Sequence, residues 1–344
     1  MDPPVTHHPR LYFENGDIVL IAPQLSTTSR STELNASPRA FRVHKHVLSD
    51  QSAIFSHLLQ DAAPERSDMH DGVPLVHLGD DAEDVSLLLT SLYFPSELSF
   101  QPLTPSNLLS LTTILRLADK YFMDDLRAHL ISQVTSDWPT TLEAWDARQA
   151  SLRALPIAVS RRRAPEPVTA IAFARAFDVP SLLPAAFYQL ATTTHGRAWG
   201  RALRVRTPPA HWDGLPSDDW MRWARGRAAI ARVRVDVGDH IAHRVAFDLD
   251  FAGGLKDGEV EVVADDSTMC FDCVEGLFAA CASTGDDGVP GDPLWMLEEV
   301  VRKYEERKEE EGRLCGSCER GFEARIQATR LRIWKNLPRF FELK

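Results

Sequence analysis

Two pairs of cysteines carry the strongest chemical signal in this sequence. Cys270 and Cys273 are separated by two residues, and Cys315 and Cys318 repeat that spacing. Two such pairs can supply four thiolates in a tetrahedron around Zn²⁺, with Zn–S distances of about 2.3 Å. The alternatives are buried, inert thiols or a redox pair, although no βαβ pattern of the thioredoxin kind surrounds either pair. A structural zinc ion is therefore the one cofactor that the sequence suggests.

A short basic stretch, His44-Lys45-His46, also contains residue types that can do chemistry. Histidines titrate near neutral pH and are common metal ligands, so residue type alone permits proton transfer or metal binding here. Just before this stretch, Phe41 and Val43 alternate with polar residues, as in a strand with one buried face. Beyond it, apolar residues recur at helical spacing. The stretch therefore lies at a predicted corner between a strand and a helix.

Residues 197–234 combine arginines with tryptophans, and such a surface can bind nucleic acid. More often this composition belongs to a solvated face whose tryptophans are core and whose arginines pair with acidic residues, here those of the C-terminal third. We favour the second interpretation and keep nucleic-acid binding as the alternative. The residues concerned are Arg197, Arg201, Arg204, Arg206, Arg222, Arg225, Arg227, Arg232 and Arg234, with Trp199, Trp212, Trp220 and Trp223.

Motifs of the common enzyme classes are missing from the sequence. It contains no Gly-x-x-x-x-Gly-Lys-Ser/Thr, no Gly-x-Gly-x-x-Gly after a strand, no His-Glu-x-x-His and no Gly-x-Ser-x-Gly. Acidic pairs such as Asp80-Asp81 fall at helix starts or in loops, where capping explains them. We therefore predict that the protein is not an enzyme and has no catalytic residues.

Composition and charge are those of an ordinary globular chain. Of the 344 residues, 44% are hydrophobic and 25% are charged, and the formal net charge of -11 disfavours wholesale nucleic-acid binding. The N-terminal residues lack the apolar core of a secretory signal. No apolar run approaches the roughly 20 residues that span a bilayer. We expect a protein of the cytoplasm or nucleus with reduced cysteines and no membrane association.

Hydrophobic patterns place three strands early in the chain and helices after them. Residues 17–21 form a nearly continuous apolar run, typical of a buried strand. The strand before the basic corner is the second, and residues 73–78 have the pattern of a third strand. Ser49 is the predicted N-cap of the helix that follows the basic corner. Thr104 followed by Pro105 is a second clear helix start. Early strands with helices after them indicate a small α+β domain.

The corner and its surroundings resemble the BTB/POZ family. The hallmark of that family is a strand ending in Phe-x-x-His-Lys, followed by Leu-x-x-x-Ser-x-x-Phe, and residues 41–55 contain every one of these positions. The resemblance implies a BTB/POZ fold, a small sheet plus helices, in which the His-Lys pair serves the fold and not catalysis. The hallmark positions are Asp17, Phe41, His44, Lys45, Leu48, Ser52, Phe55 and Tyr93.

The chain is expected to contain four segments. We predict a disordered lead-in over residues 1–11, a BTB/POZ domain over 12–133, and a helical extension similar to the BACK region over 134–200. Residues 201–344 are predicted to be a mainly helical C-terminal region that carries the two cysteine pairs. The final stretch, from Trp334 to Leu343, resembles the Trp-x-x-Leu-Pro-x-x-Phe-x-Leu tail of BTB proteins from mushroom-type (basidiomycete) fungi.

The family resemblance implies a non-enzymatic protein-interaction module or adaptor. BTB domains generally self-associate, and some are adaptors of cullin-type ubiquitin ligases, so a second copy and a cullin-3-type scaffold are the expected protein partners. The family's hydrophobic-x-Glu motif is replaced here by Leu59-Gln60-Asp61. The alternative function is a chromatin- or nucleic-acid-associated regulator that uses the Arg/Trp segment and the four-cysteine zinc site. The predicted cullin-facing residues are Phe55, Leu58, Leu59 and Asp61.

Overall fold

The computed structural model describes residues 4–25, 37–61, 69–192, 210–243, 292–307, 319 and 322–343. The chain divides into two compact units, Met1–Asp137 and Trp138–Lys344. The first unit contains a sheet and five helices within the described residues, and the described part of the second unit is helical. This arrangement confirms the predicted α+β class with a mainly helical C-terminal region.

A five-stranded sheet forms the centre of the first unit, with strand order β1-β3-β2-β5-β4. Strand β2 lies in the middle, antiparallel to β3 and parallel to β5. All five residues of β2 are buried, which explains why the sequence shows a continuous apolar run there and no alternation. The strands are β1 Thr6–Tyr12, β2 Ile18–Ala22, β3 Arg39–Val43, β4 Met69–His70 and β5 Val73–His77.

All of strand β1 except Tyr12 falls in the predicted disordered lead-in of residues 1–11, and here the structure differs from the prediction. β1 pairs in parallel with β3, and the amide of Thr6 donates to the carbonyl of Pro38 at 3.0 Å. Along β1 only Leu11 is buried, because the strand lies at the edge of the sheet. Its sequence therefore has no apolar alternation, and it owes its conformation to backbone pairing with β3.

Five helices accompany the sheet, and two of them begin where the sequence predicts. Asp81 caps α3, because its carboxylate accepts from the amide of Glu83 at 2.9 Å. A capping box formed by Thr104 and Asn107 opens α4, with Pro105 at the first helical position. The helices are α1 Lys45–Gln51, α2 Ala53–Asp61, α3 Ala82–Tyr93, α4 Pro105–Lys120 and α5 Asp124–Ser136.

The second unit packs its helices around an aromatic core. The ring of Phe187 stacks on that of Phe341, with centroids 5.2 Å apart, and the Trp334 indole donates to the carbonyl of Thr140 at 3.0 Å. Gly226 permits this packing, because a Cβ there would lie 1.9 Å from the Phe341 ring. The helices are α6 Leu142–Ala154, α7 Ile157–Arg163, α8 Pro167–Phe177, α9 Leu183–Thr192, α10 Ser217–His243, α11 Pro293–Arg307 and α12 Phe322–Phe340.

A search of the described helices for membrane-spanning segments is negative. None of these helices combines the length and the apolar character that crossing a bilayer requires.

Candidate functional site

The basic corner lies where β3 ends and α1 begins. The carboxylate of Asp17, just before β2, accepts a hydrogen bond from the amide of Lys45 at 2.7 Å, and the Asp17 amide donates to the carbonyl of Val43 at 3.0 Å. His44 occupies the N-cap position of α1 but makes no side-chain capping bond. A negative charge from the neighbouring strand thus caps the helix and satisfies one of its free N–H groups.

His44 is held by Tyr93 at the end of α3. The Tyr93 hydroxyl accepts from the His44 amide at 2.9 Å and lies 3.2 Å from the His44 Nδ1. The ring of Phe13 stacks on Tyr93 with centroids 4.9 Å apart. Burial raises the pKa of Tyr93 above its ordinary value. These contacts use the polar groups of His44 to join β3, α1 and α3, which is a structural role.

Ser52 connects this corner to the next helix. It has extended backbone angles (φ -147°, ψ 119°) and separates α1 from α2. Its buried hydroxyl donates to the carbonyl of Tyr121 at 2.5 Å and accepts from the amide of Phe55 at 3.0 Å. The prediction of Ser49 as the N-cap was wrong, because α1 already runs through Ser49 and the capping hydroxyl belongs to Ser52. Local sequence could not reveal that Asp17 starts the helix earlier.

The four predicted cullin-facing residues fall into different environments. Phe55 is 1% exposed and stacks on Tyr121 with ring centroids 4.5 Å apart, and Leu59 is 5% exposed. Both therefore belong to the core of the unit, so the predicted cullin-facing surface contains fewer residues than expected. Leu58 is 36% exposed. Asp61 is the last residue of α2, and its side chain lies outside the described part of the chain.

An exposed aromatic residue that the sequence analysis did not select, Phe122, lies in the turn between α4 and α5. Its side chain is 63% exposed, and its backbone is left-handed with φ 50°. The turn closes α4 by two hydrogen bonds, from the Met123 amide to the Ala118 carbonyl at 2.8 Å and from the Phe122 amide to the Asp119 carbonyl at 3.3 Å. Glycine usually occupies the left-handed position in a helix C-terminal cap of this kind. A side chain there costs about 1–2 kcal/mol.

Phe122 directly follows Tyr121 in the chain, and the Tyr121 ring packs on Phe55 of α2. The Tyr121 carbonyl accepts from Ser52, its ring stacks on Phe55, and its hydroxyl donates to Asp80. The pKa of Tyr121 is raised well above its ordinary value by burial and by this bond to Asp80. Leu58, three residues after Phe55 on α2, and Phe122, next to Tyr121, are exposed apolar side chains that follow this stacked pair in the sequence, and we call them the Leu58/Phe122 surface. Its sequence signal is weak, since Phe122 directly follows an apolar helix stripe.

A shallow open groove of about 400 Å³ lies between α1, α3 and α5 of the same unit. Its polar edges come from histidines and aspartates on α1 and α5, and its floor includes apolar side chains. The groove is a concave feature of the unit on which a protein segment could pack. Its lining residues are His46, Val47, Asp50, Gln51, Ser91, Leu92, Asp125, Leu126 and His129.

The described part of the Arg/Trp segment lies at the start of α10 and in the turn before it. Trp212, Trp220 and Trp223 pack on one another with ring centroids 5.0–5.4 Å apart. Arg222 pairs with Asp219 at 3.1 Å, and Arg225 pairs with Glu342 at 2.6 Å. The Arg225 pair confirms the expected pairing with acidic residues of the C-terminal third, and these contacts weaken the nucleic-acid alternative.

The remaining predicted site residues lie outside the described residues. They are Cys270, Cys273, Cys315 and Cys318 of the zinc hypothesis, together with Arg197, Trp199, Arg201, Arg204, Arg206 and the side chain of Arg234.

Comparison with known families identifies most of the first unit. Residues 32–136 match the model of the BTB/POZ domain. This part of the chain is a BTB/POZ domain. The match covers less than half of the chain, and comparison with curated proteins finds no match. The BTB domain is a non-enzymatic module for protein–protein interaction, and BTB domains often dimerise.

Proposed function

We propose that the protein is a non-enzymatic adaptor that binds another protein through the Leu58/Phe122 surface of its BTB domain. The observation that carries this proposal is the conformation of Phe122. Its large apolar side chain is exposed to solvent, and its backbone has a left-handed conformation that favours glycine. Both features are unfavourable for the isolated chain. Strain of this kind is typical of sites whose geometry serves binding.

The surroundings of Phe122 support a rigid docking point. Tyr121 and Met123, on either side of Phe122, are both buried. The Tyr121 ring is held by Phe55 of α2 and its carbonyl by Ser52, and Lys120 pairs with Asp80 at 2.5 Å. An aromatic anchor on a fixed backbone loses little conformational entropy when it binds, which is the usual property of an interface hot spot.

A cullin-3-type scaffold is the partner that we propose, because the family resemblance locates cullin contacts at the end of the helix that carries Phe55. Leu58 belongs to this helix, and the residue before Phe122, Tyr121, stacks on Phe55 of the same helix. Asp61 supplies a carboxylate one methylene shorter than the family's usual Glu. The proposal therefore relies on the apolar contacts of Leu58 and Phe122 more than on this acidic residue.

A pull-down with the N-terminal domain of cullin-3 tests the proposal on the full-length chain. We expect wild type to bind, and Leu58→Asp and Phe122→Asp each to weaken binding at least tenfold. The control is Leu109→Asp, which changes an even more exposed leucine (75%) on α4. Leu109 lies 11 residues from the end of that helix, about 17 Å along its axis. Absence of wild-type binding, or equal loss in the Leu109 control, contradicts the cullin proposal.

We also propose self-association of the BTB domain, and it can be tested apart from cullin binding. Sedimentation equilibrium of the full-length chain is expected to show a concentration-dependent dimer. A single monomeric species at tens of micromolar would remove this part of the proposal.

A further inference from the structure

Two histidines and an aspartate meet where the two edges of the sheet approach each other. His7 belongs to β1, His70 to β4, and Asp71 to the turn that follows β4. The strand order places β1 and β4 at opposite edges. The His7 Nε2 nevertheless lies 3.4 Å from the His70 Nε2 and 3.7 Å from an Asp71 carboxylate oxygen.

A shared apolar cluster is contacted by strands on both sides of β2. The apolar cluster of Val19 and Ile21 on β2 is covered both by Tyr12 of β1 and by Val73 and Leu75 of β5. β1 and the β4–β5 hairpin therefore contact the same buried cluster.

The hairpin holds its two candidate ligands in a defined geometry. Asp71 and Gly72 form a two-residue loop in which both residues have positive φ, 48° and 75°. Such an Asp-Gly loop is the preferred connection of a tight antiparallel hairpin. His70 is the last residue of β4 and pairs with Val73, so His70 and Asp71 are fixed by the register of the hairpin.

The third candidate ligand, His7, is oriented by Tyr12 on the same strand. The two rings stack with centroids 3.9 Å apart and an interplanar angle of 9°. The Tyr12 hydroxyl donates to the Asp71 carboxylate at 2.5 Å, and this bond is the main reason why the pKa of Asp71 is lowered. The carboxylate is thus held by a neighbouring donor, as carboxylates at metal sites commonly are.

We propose that His7, His70 and Asp71 bind Zn²⁺ and thereby link the two edges of the sheet. Two nitrogen ligands at a Zn–N distance of 2.0–2.1 Å, in tetrahedral geometry, lie about 3.3 Å apart. The two Nε2 atoms are already at 3.4 Å. All three ligand atoms lie within 4.8 Å of one another. Two histidines and a carboxylate leave the fourth position of a tetrahedral zinc ion for water.

A zinc ion at this site would stabilise the pairing that the sequence pattern of β1 does not predict. The three ligands come from positions 63 and 64 residues apart in the chain. Binding a metal only in the folded state adds its binding free energy to stability. We therefore expect zinc to protect β1, the exposed edge strand, more than the buried strand β2.

Co²⁺ titration of the purified full-length chain tests this site without confusion with the cysteine pairs. Thiolate ligands give cobalt an intense near-ultraviolet charge-transfer band, whereas histidine and carboxylate ligands give visible absorption without that band. We expect wild type to bind cobalt at a site that gives visible absorption without the thiolate band. The double variant His7→Ala/His70→Ala should lose this site. The control His57→Ala/His129→Ala, which removes two exposed histidines elsewhere in the unit, should retain it.

Hydrogen exchange provides the second measurement. Zn²⁺ should slow exchange of the β1 amides in wild type and in the control. It should not change their exchange in His7→Ala/His70→Ala, and it should slow their exchange less in Asp71→Asn than in wild type. The proposal is overturned if all bound cobalt shows thiolate absorption. It is equally overturned if the double variant binds cobalt with wild-type affinity, or if zinc slows β1 exchange in that variant as much as in wild type.

Discussion

The basic corner and the Leu58/Phe122 surface lie in the same BTB unit but use their side chains in opposite ways. At the corner, the carboxylate of Asp17, the imidazole of His44 and the hydroxyl of Ser52 all find partners inside the unit. At the Leu58/Phe122 surface, two apolar side chains face solvent, and one of them has a strained backbone. The residues that identify the domain make their contacts inside the folded unit. The residues proposed to bind are those that the fold leaves exposed.

The two phenylalanines next to Tyr121 offer the sharpest form of this comparison. Phe55→Ala removes a buried ring and leaves a cavity, so it should destabilise the BTB unit by about 3–5 kcal/mol. Phe122→Ala removes an exposed ring and should cost less than about 0.5 kcal/mol. The measurement is the opening free energy of β2 amides in native-state hydrogen exchange of the full-length chain. Similar losses in the two variants would break the distinction between core and surface.

An intermediate effect is expected at the corner itself. Asp17→Ala removes the carboxylate that caps α1 from the neighbouring strand, and it should cost about 1–2 kcal/mol. Asp50→Ala is the matched control, because it removes an exposed carboxylate from the same helix. The same hydrogen-exchange measurement applies. A loss no larger than that of the control would show that the Asp17 cap contributes little to the fold.

A small stabilising effect is expected at the Leu58/Phe122 surface. Phe122→Gly relieves the left-handed strain and should stabilise the unit by about 0.5–1 kcal/mol, after the greater freedom of glycine in the unfolded chain is taken into account. The same variant should lose partner binding in the cullin-3 pull-down. If Phe122→Gly is less stable than wild type and still binds fully, the proposal that Phe122 lowers stability and provides binding is contradicted.

Much of the fold could be predicted because its signals are local. The apolar run of β2, the Thr104-Pro105 start of α4 and the hallmark stretch of residues 41–55 each depend on residues close together in the chain. Three features were missed because they depend on distant contacts. β1 is defined by its pairing with β3, α1 begins at Lys45 because Asp17 caps it, and Leu59 is buried by packing.

The division between local and distant information also applies to function. The order of residue types was sufficient to identify a BTB domain, since helix caps, buried strands and hallmark side chains reflect short-range preferences of the backbone. Exposure is different, because whether Phe55 or Phe122 reaches solvent depends on which surfaces pack against Tyr121. The meeting of His7 with His70 and Asp71 likewise depends on tertiary packing, because β1 and β5 both contact the buried cluster of β2. Side chains so far apart in the chain become neighbours only when the whole sheet forms.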